Sequence, residues 1–157
     1  MSNELTIFLL SMLPISELRG TIPLGIEVFG LHPAVAFLMA ILGNAIPVFV
    51  LVFGLEKISI WCERNSRVCH RVLSRVFARS ERVFKSHHDK YGALALFIFT
   101  AIPLPLTGVW SSSVAAVLFR IQPRYALPAI LLGMLAAGII VLFATVGVSW
   151  FVNGFAD

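Results

Sequence analysis

The stretch Pro14-Ile15-Ser16-Glu17-Leu18-Arg19-Gly20-Thr21-Ile22-Pro23 sets a carboxylate, a guanidinium, a glycine and two prolines inside an otherwise apolar N-terminal third. Proline lacks a backbone donor and glycine loses extra backbone entropy on folding, so both interrupt a helix. In lipid, interrupted backbone survives only where protein buries it or where it lines a polar cavity. Glu17 and Arg19 at membrane depth would be costly, and by default they mark a functional site. The reading of this stretch therefore turns on whether a membrane surrounds it.

Composition answers that question. Of the 157 residues, 59% are hydrophobic and 13% are charged, with a mean hydropathy of +0.93. A soluble domain carries about 45–50% apolar and about 25% charged residues. A chain this short cannot bury so much apolar surface in its own core, so lipid has to cover it. The net charge of +4 does not point to nucleic acid, because nine of the twelve Lys and Arg residues lie between Lys57 and Lys90. Basic residues gather on the cytoplasmic side of membrane proteins. The expected location is the inner (plasma) membrane, with this segment as a cytoplasmic connector. Cys62 and Cys69 lie within it, but no His/Cys cluster completes a metal site, so packing is their expected role. The N-terminus has Glu4 and no basic residue before its short apolar run, which argues against a cleaved signal peptide.

Outward from the opening stretch, residues 5–13 and 24–31 are apolar but short. At about 1.5 Å per residue, the first reaches about half of a ~30 Å hydrocarbon core. Two half-length pieces around a polar break predict a re-entrant hairpin over residues 5–31. Residues 33–54 carry no formal charge and predict a transmembrane helix. Gly43, Asn44 and Pro47 in its middle predict a kink or a close helix contact. Residues 56–90 predict a basic amphipathic helix lying at an anionic membrane surface. Arg64, Arg67, Arg71, Arg75, Arg79 and Arg82 form one narrow face of it, with Val72, Val76, Phe77 and Val83 on the other. A docking or dimerising helix is the rival reading of that segment. Residues 91–119 predict a second hairpin, broken at Ile102-Pro103-Leu104-Pro105-Leu106-Thr107-Gly108-Val109-Trp110. Residues 123–152 predict a second transmembrane helix, with Gly133 and Ala137 spaced for close packing.

The two halves echo each other. Phe29-Gly-Leu-His-Pro33 matches Phe119-Arg-Ile-Gln-Pro123, and Gly43 and Gly133 each follow their proline by ten residues. Upstream, Leu13-Pro14 and Leu18-Arg19-Gly20 echo Ile102-Pro103 and Leu106-Thr107-Gly108. The expected fold is therefore an all-α polytopic membrane protein made of two inverted repeats. Each repeat is a re-entrant broken hairpin plus a transmembrane helix, and the basic helix joins them. Secondary transporters are built this way, with interrupted helices meeting near the midplane to bind substrate. Four kinked transmembrane helices are the alternative.

The two break motifs together resemble the small multidrug export protein family, over nearly the whole chain. That family is distantly similar to the DedA membrane proteins, whose two re-entrant hairpins also carry a glutamate and an arginine. The first resemblance implies export of small molecules. The second implies proton-coupled movement of lipid-linked phosphates or other membrane lipids, with Glu17 matching the first-hairpin carboxylate and Arg19 a nearby cation. DedA proteins place an arginine in the second hairpin, whereas this chain has only Pro, Leu, Thr and Gly there and its nearest candidates are Arg120 and Arg124.

The candidate site is Glu17, Arg19, Gly20, Pro14 and Pro23 from the first break, with Pro103, Pro105, Thr107, Gly108 and Trp110 from the second. Desolvation favours the neutral form of Glu17 and a nearby guanidinium favours its charged form, so the carboxyl is placed to take up and release a proton. Arg19 stays charged. Half-helices starting near Gly20 and Gly108 would turn positive ends to a shared cavity and favour an anion. A salt bridge that merely staples the hairpin is the bland alternative for Glu17 and Arg19. Glu27 and His32 read as interfacial residues. No nucleophile motif, phosphate loop or metal spacing appears, so neither an enzyme nor a bound cofactor is expected. The expected partners are membrane lipid, protons, a small-molecule or lipid substrate and a second copy of the chain, with no nucleic acid. A non-transporting scaffold acting through its basic helix is the competing function.

Overall fold

The computed structural model describes residues 2–65, 88–103, 108–119 and 121–154, and all regular structure among them is helical. In chain order these are α1 (Asn3–Ser11), α2 (Glu17–Pro23) with a π-helical turn (Leu24–Val28), and α3 (Pro33–Asn65). After them come α4 (His88–Ala101), α5 (Val109–Leu118) and α6 (Pro123–Gly154). Short helix, break, short helix, long helix thus occurs twice. Pro33–Gly54 in α3 and Pro123–Phe151 in α6 are long and apolar enough to cross a membrane, at 22 and 29 residues.

The helix starts follow from their caps. Ser2 has extended backbone and its hydroxyl accepts the Leu5 N–H, while Glu4 puts a negative charge in the first turn of α1. Pro33 and Pro123 open the two long helices, where a missing N–H removes no intrahelical bond. The carbonyl before each proline does the capping: His32 accepts from Val35 and Ala36, and Gln122 accepts from Tyr125 and Ala126. The exposed His32 imidazole adds a bond from the Ala34 N–H at 3.3 Å.

Pro23 does not break the chain. Its helix runs on through it, so the first break is confined to residues 12–16 and the second half-helix begins at Glu17 rather than Leu24. A proline inside a helix leaves the carbonyl one turn earlier without its usual donor. The backbone adjusts by widening into the π turn, where the Phe29 N–H reaches back to the Leu24 carbonyl. Gly30 then ends the turn at φ +61, a left-handed conformation that suits glycine. The boundary expected near residue 55 is also absent, since α3 continues unbroken to Asn65. At the other side, α4 takes in residues 88–90 of the expected connector. The basic face from Arg67 to Arg82 lies outside the described residues, as does Cys69.

One joint holds each short pair to its long helix. A Cβ on Gly43 would lie 2.1 Å from the Phe8 carbonyl oxygen and 3.1 Å from the Ser11 Cβ. A Cβ on Gly133 would lie 2.7 Å from both the Phe97 carbonyl oxygen and the Thr100 Cβ. Backbone of α1 therefore rests on α3 at Gly43, and backbone of α4 rests on α6 at Gly133. Beside each glycine a hydroxyl ties the half-helices together. Ser11 Oγ is 2.7 Å from the Ile7 carbonyl and from Thr21 Oγ1, and Thr100 Oγ1 is 2.7 Å from the Leu96 carbonyl and from Ser112 Oγ. Ser11, Thr21, Thr100 and Ser112 are all buried. Matching Thr21 with Ser112 sets Glu17 opposite Gly108 and Arg19 opposite Trp110, so Arg19 does not correspond to Thr107 as the sequence echo had it. The two long helices meet at Gly138, where a Cβ would come within 2.9 Å of Phe37 Cε2.

These buried hydroxyl bonds support a first prediction. Thr100→Val keeps the shape but leaves the Ser112 hydroxyl without this partner, at a cost of about 1–3 kcal/mol. The detergent-purified variant should melt several degrees lower, at roughly 2–4 °C per kcal/mol for a chain of this size. Adding Ser112→Ala should recover part of the loss; a melting point equal to the wild type in Thr100→Val would mean the bond contributes nothing.

Candidate functional site

Glu17 is the first residue of α2 and the only described non-glycine with positive φ, at +39. Such backbone is uncommon for a long side chain and has to be held by its surroundings. What holds it is the second break. Glu17 is 8% exposed, and its carboxylate accepts the backbone N–H of Trp110. Gly108 has extended backbone and caps α5 without a side chain of its own. The Glu17 oxygens fill that space so closely that a Cβ on Gly108 would lie 1.8 Å from Oε2 and 2.0 Å from Oε1. A carboxylate from the first break thus supplies the negative charge and the acceptor that the start of α5 lacks.

Arg19 does the complementary task. Its guanidinium donates to the carbonyls of Thr100, at 3.4 Å, and Ile102, at 3.1 Å. These lie at the C-terminal end of α4, where carbonyls have no intrahelical donor. The acid of the first break therefore caps the helix leaving the second break, and the base caps the helix entering it. Each charge meets a helix end of opposite sign, and the two also attract each other. Glu17 and Arg19 do more than pair with each other: they tie the first break to the second.

The other expected residues divide between the two breaks. Pro14 is exposed in the turn before α2, and Trp110 is half-buried, with its backbone rather than its indole holding Glu17. Gly20 does not start a half-helix. It lies within α2 facing open space, while Gly108 does cap α5 as expected. Pro105 and Thr107 lie outside the described residues. The positive end of α5 does not face an empty cavity, because Glu17 already occupies it.

Beside this junction lies a cleft of about 630 Å³ between α2 and α6. Arg19, Pro23, Glu27 and Pro103 line one side, and the apolar and hydroxyl residues of α6 line the other. Glu27, in the π turn, is exposed in the cleft rather than serving only as an interfacial residue, and the Ser149 hydroxyl bonds to its Oε1. Thr145, one turn before Ser149, also lines the cleft, with its hydroxyl donating to the Val141 carbonyl at 2.8 Å. Thr145 and Ser149, on either side of Gly147 in a long apolar span with no charge nearby, carry no signal of a site in the sequence. Among the described residues, no three His, Cys, Asp or Glu side chains come together to hold a metal ion.

A model of the family described as "Putative small multi-drug export protein" matches residues 17–140. The chain belongs to this family. The match opens on Glu17 and takes in Arg19, Glu27, both joint glycines and the start of α5, while Thr145 and Ser149 lie beyond it. Family membership and two helices of spanning length together make this a helical membrane protein. No curated protein and no solved structure matches the chain.

Proposed function

We propose that this protein is a secondary transporter of the plasma membrane that exports small molecules in exchange for protons, with Glu17 as the proton-responsive group. The observation that carries the reading is the Glu17 carboxylate set on the N-terminal end of α5 across the two breaks. In its ionised form this group accepts a backbone N–H and complements the helix dipole. Protonation removes the charge, and with it about 2–4 kcal/mol of attraction, enough to shift a two-state equilibrium thirtyfold or more. Arg19 keeps its charge throughout and continues to hold the end of α4. Proton binding would therefore loosen one of the two ties between the breaks and leave the other.

The paired joints at Gly43 and Gly133 support an inverted-repeat arrangement, in which two re-entrant breaks meet at one depth and rock against each other. The family name agrees with small-molecule export. In this reading the basic connector is cytoplasmic, the chain works as a homodimer that encloses a full pathway, and its action is transport rather than catalysis. In energised inverted vesicles, Glu17→Gln should abolish proton-driven efflux of a cationic dye while expression and gel-filtration behaviour persist. Unchanged efflux would overturn the mechanism.

A second reading, DedA-like translocation of a lipid-linked phosphate, draws support from Arg19 lining the cleft. It predicts an anionic lipid retained through purification and lost in Arg19→Ala, as read by native mass spectrometry.

A further inference from the structure

We propose that the groove between α4 and α5 seats one acyl chain of an anionic phospholipid whose headgroup is met by Arg124. The lipid is a resident part of the fold rather than cargo, so the site does not depend on the transporter reading.

The groove holds about 290 Å³ and shares no residue with the cleft between α2 and α6. Gly92, Ala95 and Phe99 of α4 line it together with Ala115 and Phe119 of α5, and the buried Leu96 forms its floor. Small residues make the space. The matched bonds Ser11–Thr21 and Thr100–Ser112 set Gly92 opposite Asn3, Ala95 opposite Thr6 and Ala115 opposite Leu24. The first pair of short helices thus carries larger side chains at three positions where the second keeps small ones. Leu96 also accepts the Thr100 hydroxyl, so a chain lying over it braces the joint with Ser112 from outside.

Section, length and charge name the occupant. From Gly92 to Phe99 the groove runs roughly 10 Å along α4, against about 15 Å for one leaflet of the hydrocarbon core. Volume over length gives a section of roughly 30 Å², too narrow for a helix of about 10 Å diameter but open to a single hydrocarbon chain. Phe99 and Phe119 are exposed, so the groove opens on the face that meets lipid. Lipid tails are as apolar as its walls, so selection comes from close packing of the chain and from the headgroup. At the outer end, a Cβ on Gly92 would lie 2.9 Å from Ile121 Cδ1, which brings the link into α6 against the start of α4. Arg124 follows Ile121 by three residues, in the first turn of α6, with its guanidinium 4.7 Å from the Tyr125 ring centroid. A guanidinium resting on a ring keeps its N–H donors for a phosphate oxygen. Tyr91, exposed beside Gly92, and Tyr125 are the aromatic residues that gather at a membrane interface. That end of α4 also closes the segment holding nine of the twelve Lys and Arg residues, which favours an anionic headgroup.

The test uses the full-length protein in detergent, with phosphatidylglycerol and phosphatidylcholine of identical chains added in turn and read by native mass spectrometry. The wild type should prefer phosphatidylglycerol by roughly fivefold and melt higher in its presence. Ala115→Leu puts into the groove the side chain that Leu24 supplies in the first half, and should weaken phosphatidylglycerol binding roughly tenfold or more. Arg124→Gln should keep the lipid and lose the preference. Wild-type affinity in Ala115→Leu would overturn the proposal. So would a wild type that treats the two lipids alike, or an unchanged preference in Arg124→Gln. Arg19→Ala should retain the lipid; its loss there with retention in Ala115→Leu would assign it to the cleft and overturn the groove site. If Ala115→Leu does not fold, phosphatidylglycerol carrying a diazirine in its chain decides the question on the wild type. Crosslinks concentrated on Phe99, Ala115 and Phe119 are expected, and equal labelling of the exposed Phe143 and Trp150 on α6 would overturn the site.

Discussion

Gly108→Ala is expected to abolish proton-driven efflux while lowering stability by only about 0.5–2 kcal/mol, the usual cost of losing a helix cap. The backbone at Gly108 is extended, so an alanine is tolerated there in itself. The conflict is with Glu17, whose two carboxylate oxygens would lie 1.8 and 2.0 Å from the new methyl. A carboxylate is the mobile end of its side chain and will swing away. Doing so forfeits the Trp110 N–H and the positive end of α5. The variant should therefore match Glu17→Gln in vesicle efflux, though the carboxylate itself remains. Because both substitutions remove one interaction, combining them should add little to either. Normal efflux by Gly108→Ala would mean that the carboxylate's position on α5 is not used.

Gly43→Ala should have the opposite profile, a large loss of stability that arises far from any charge. The added methyl would stand 2.1 Å from the Phe8 carbonyl oxygen and 3.0 Å from its carbon, and no rotamer change relieves a contact with backbone. Helix α1 has to move off α3 by roughly 1 Å to reach an ordinary C···O separation. That movement strains the Ser11–Thr21 bond and opens the packing around Ile7, which is fully buried. Overpacking costs about 1–3 kcal/mol and a broken buried bond adds about 1–3 more. A melting point lower by roughly 10 °C is the expected reading, at about 2–4 °C per kcal/mol. Gly147→Ala is the control. Nothing lies within 4 Å of its Cβ position, and alanine favours a helix over glycine, so stability should hold or rise. Equal melting of the two variants would refute the close contact at Gly43.

The helices, the two breaks and the pairing of Gly43 with Gly133 were legible because they depend on local properties. Apolar length, chain breakers and small residues act over a few turns and leave their trace in consecutive residues. Pro23 misled for the same reason. Its preference against helix interiors is local, but its effect here is absorbed by a π turn that no pattern in the residues announces. The destinations of Glu17 and Arg19 were not legible. A carboxylate in a break can meet its own neighbour or a helix start far along the chain, and only the tertiary packing, in which α2 meets both α3 and α6, brings Gly108 to it. Glu27 was harder still, since its partner Ser149 lies 122 residues away in a span that reads as uniformly apolar. Aligning the halves by their residue echo also put Arg19 opposite Thr107. The hydroxyl pairs correct this, because hydrogen bonds follow the helix face rather than the spelling of a tripeptide.

The charge-free stretches of the two spanning helices differ in length, residues 33–55 in α3 against 125–154 in α6. At about 1.5 Å per residue these are roughly 35 and 45 Å, against a hydrocarbon thickness of about 30 Å. The first matches an ordinary bilayer and the second exceeds it, yet Gly138 holds them in contact. Hydrophobic mismatch of this kind is relieved by tilting the longer helix or by thickening the lipid around it. Val141, Thr145 and Ser149 of this longer helix form one wall of the cleft. Bilayer thickness thereby becomes a mechanical input to this protein: thinner lipid tilts α6 further and moves Ser149 relative to Glu27, while thicker lipid lets α6 stand more upright.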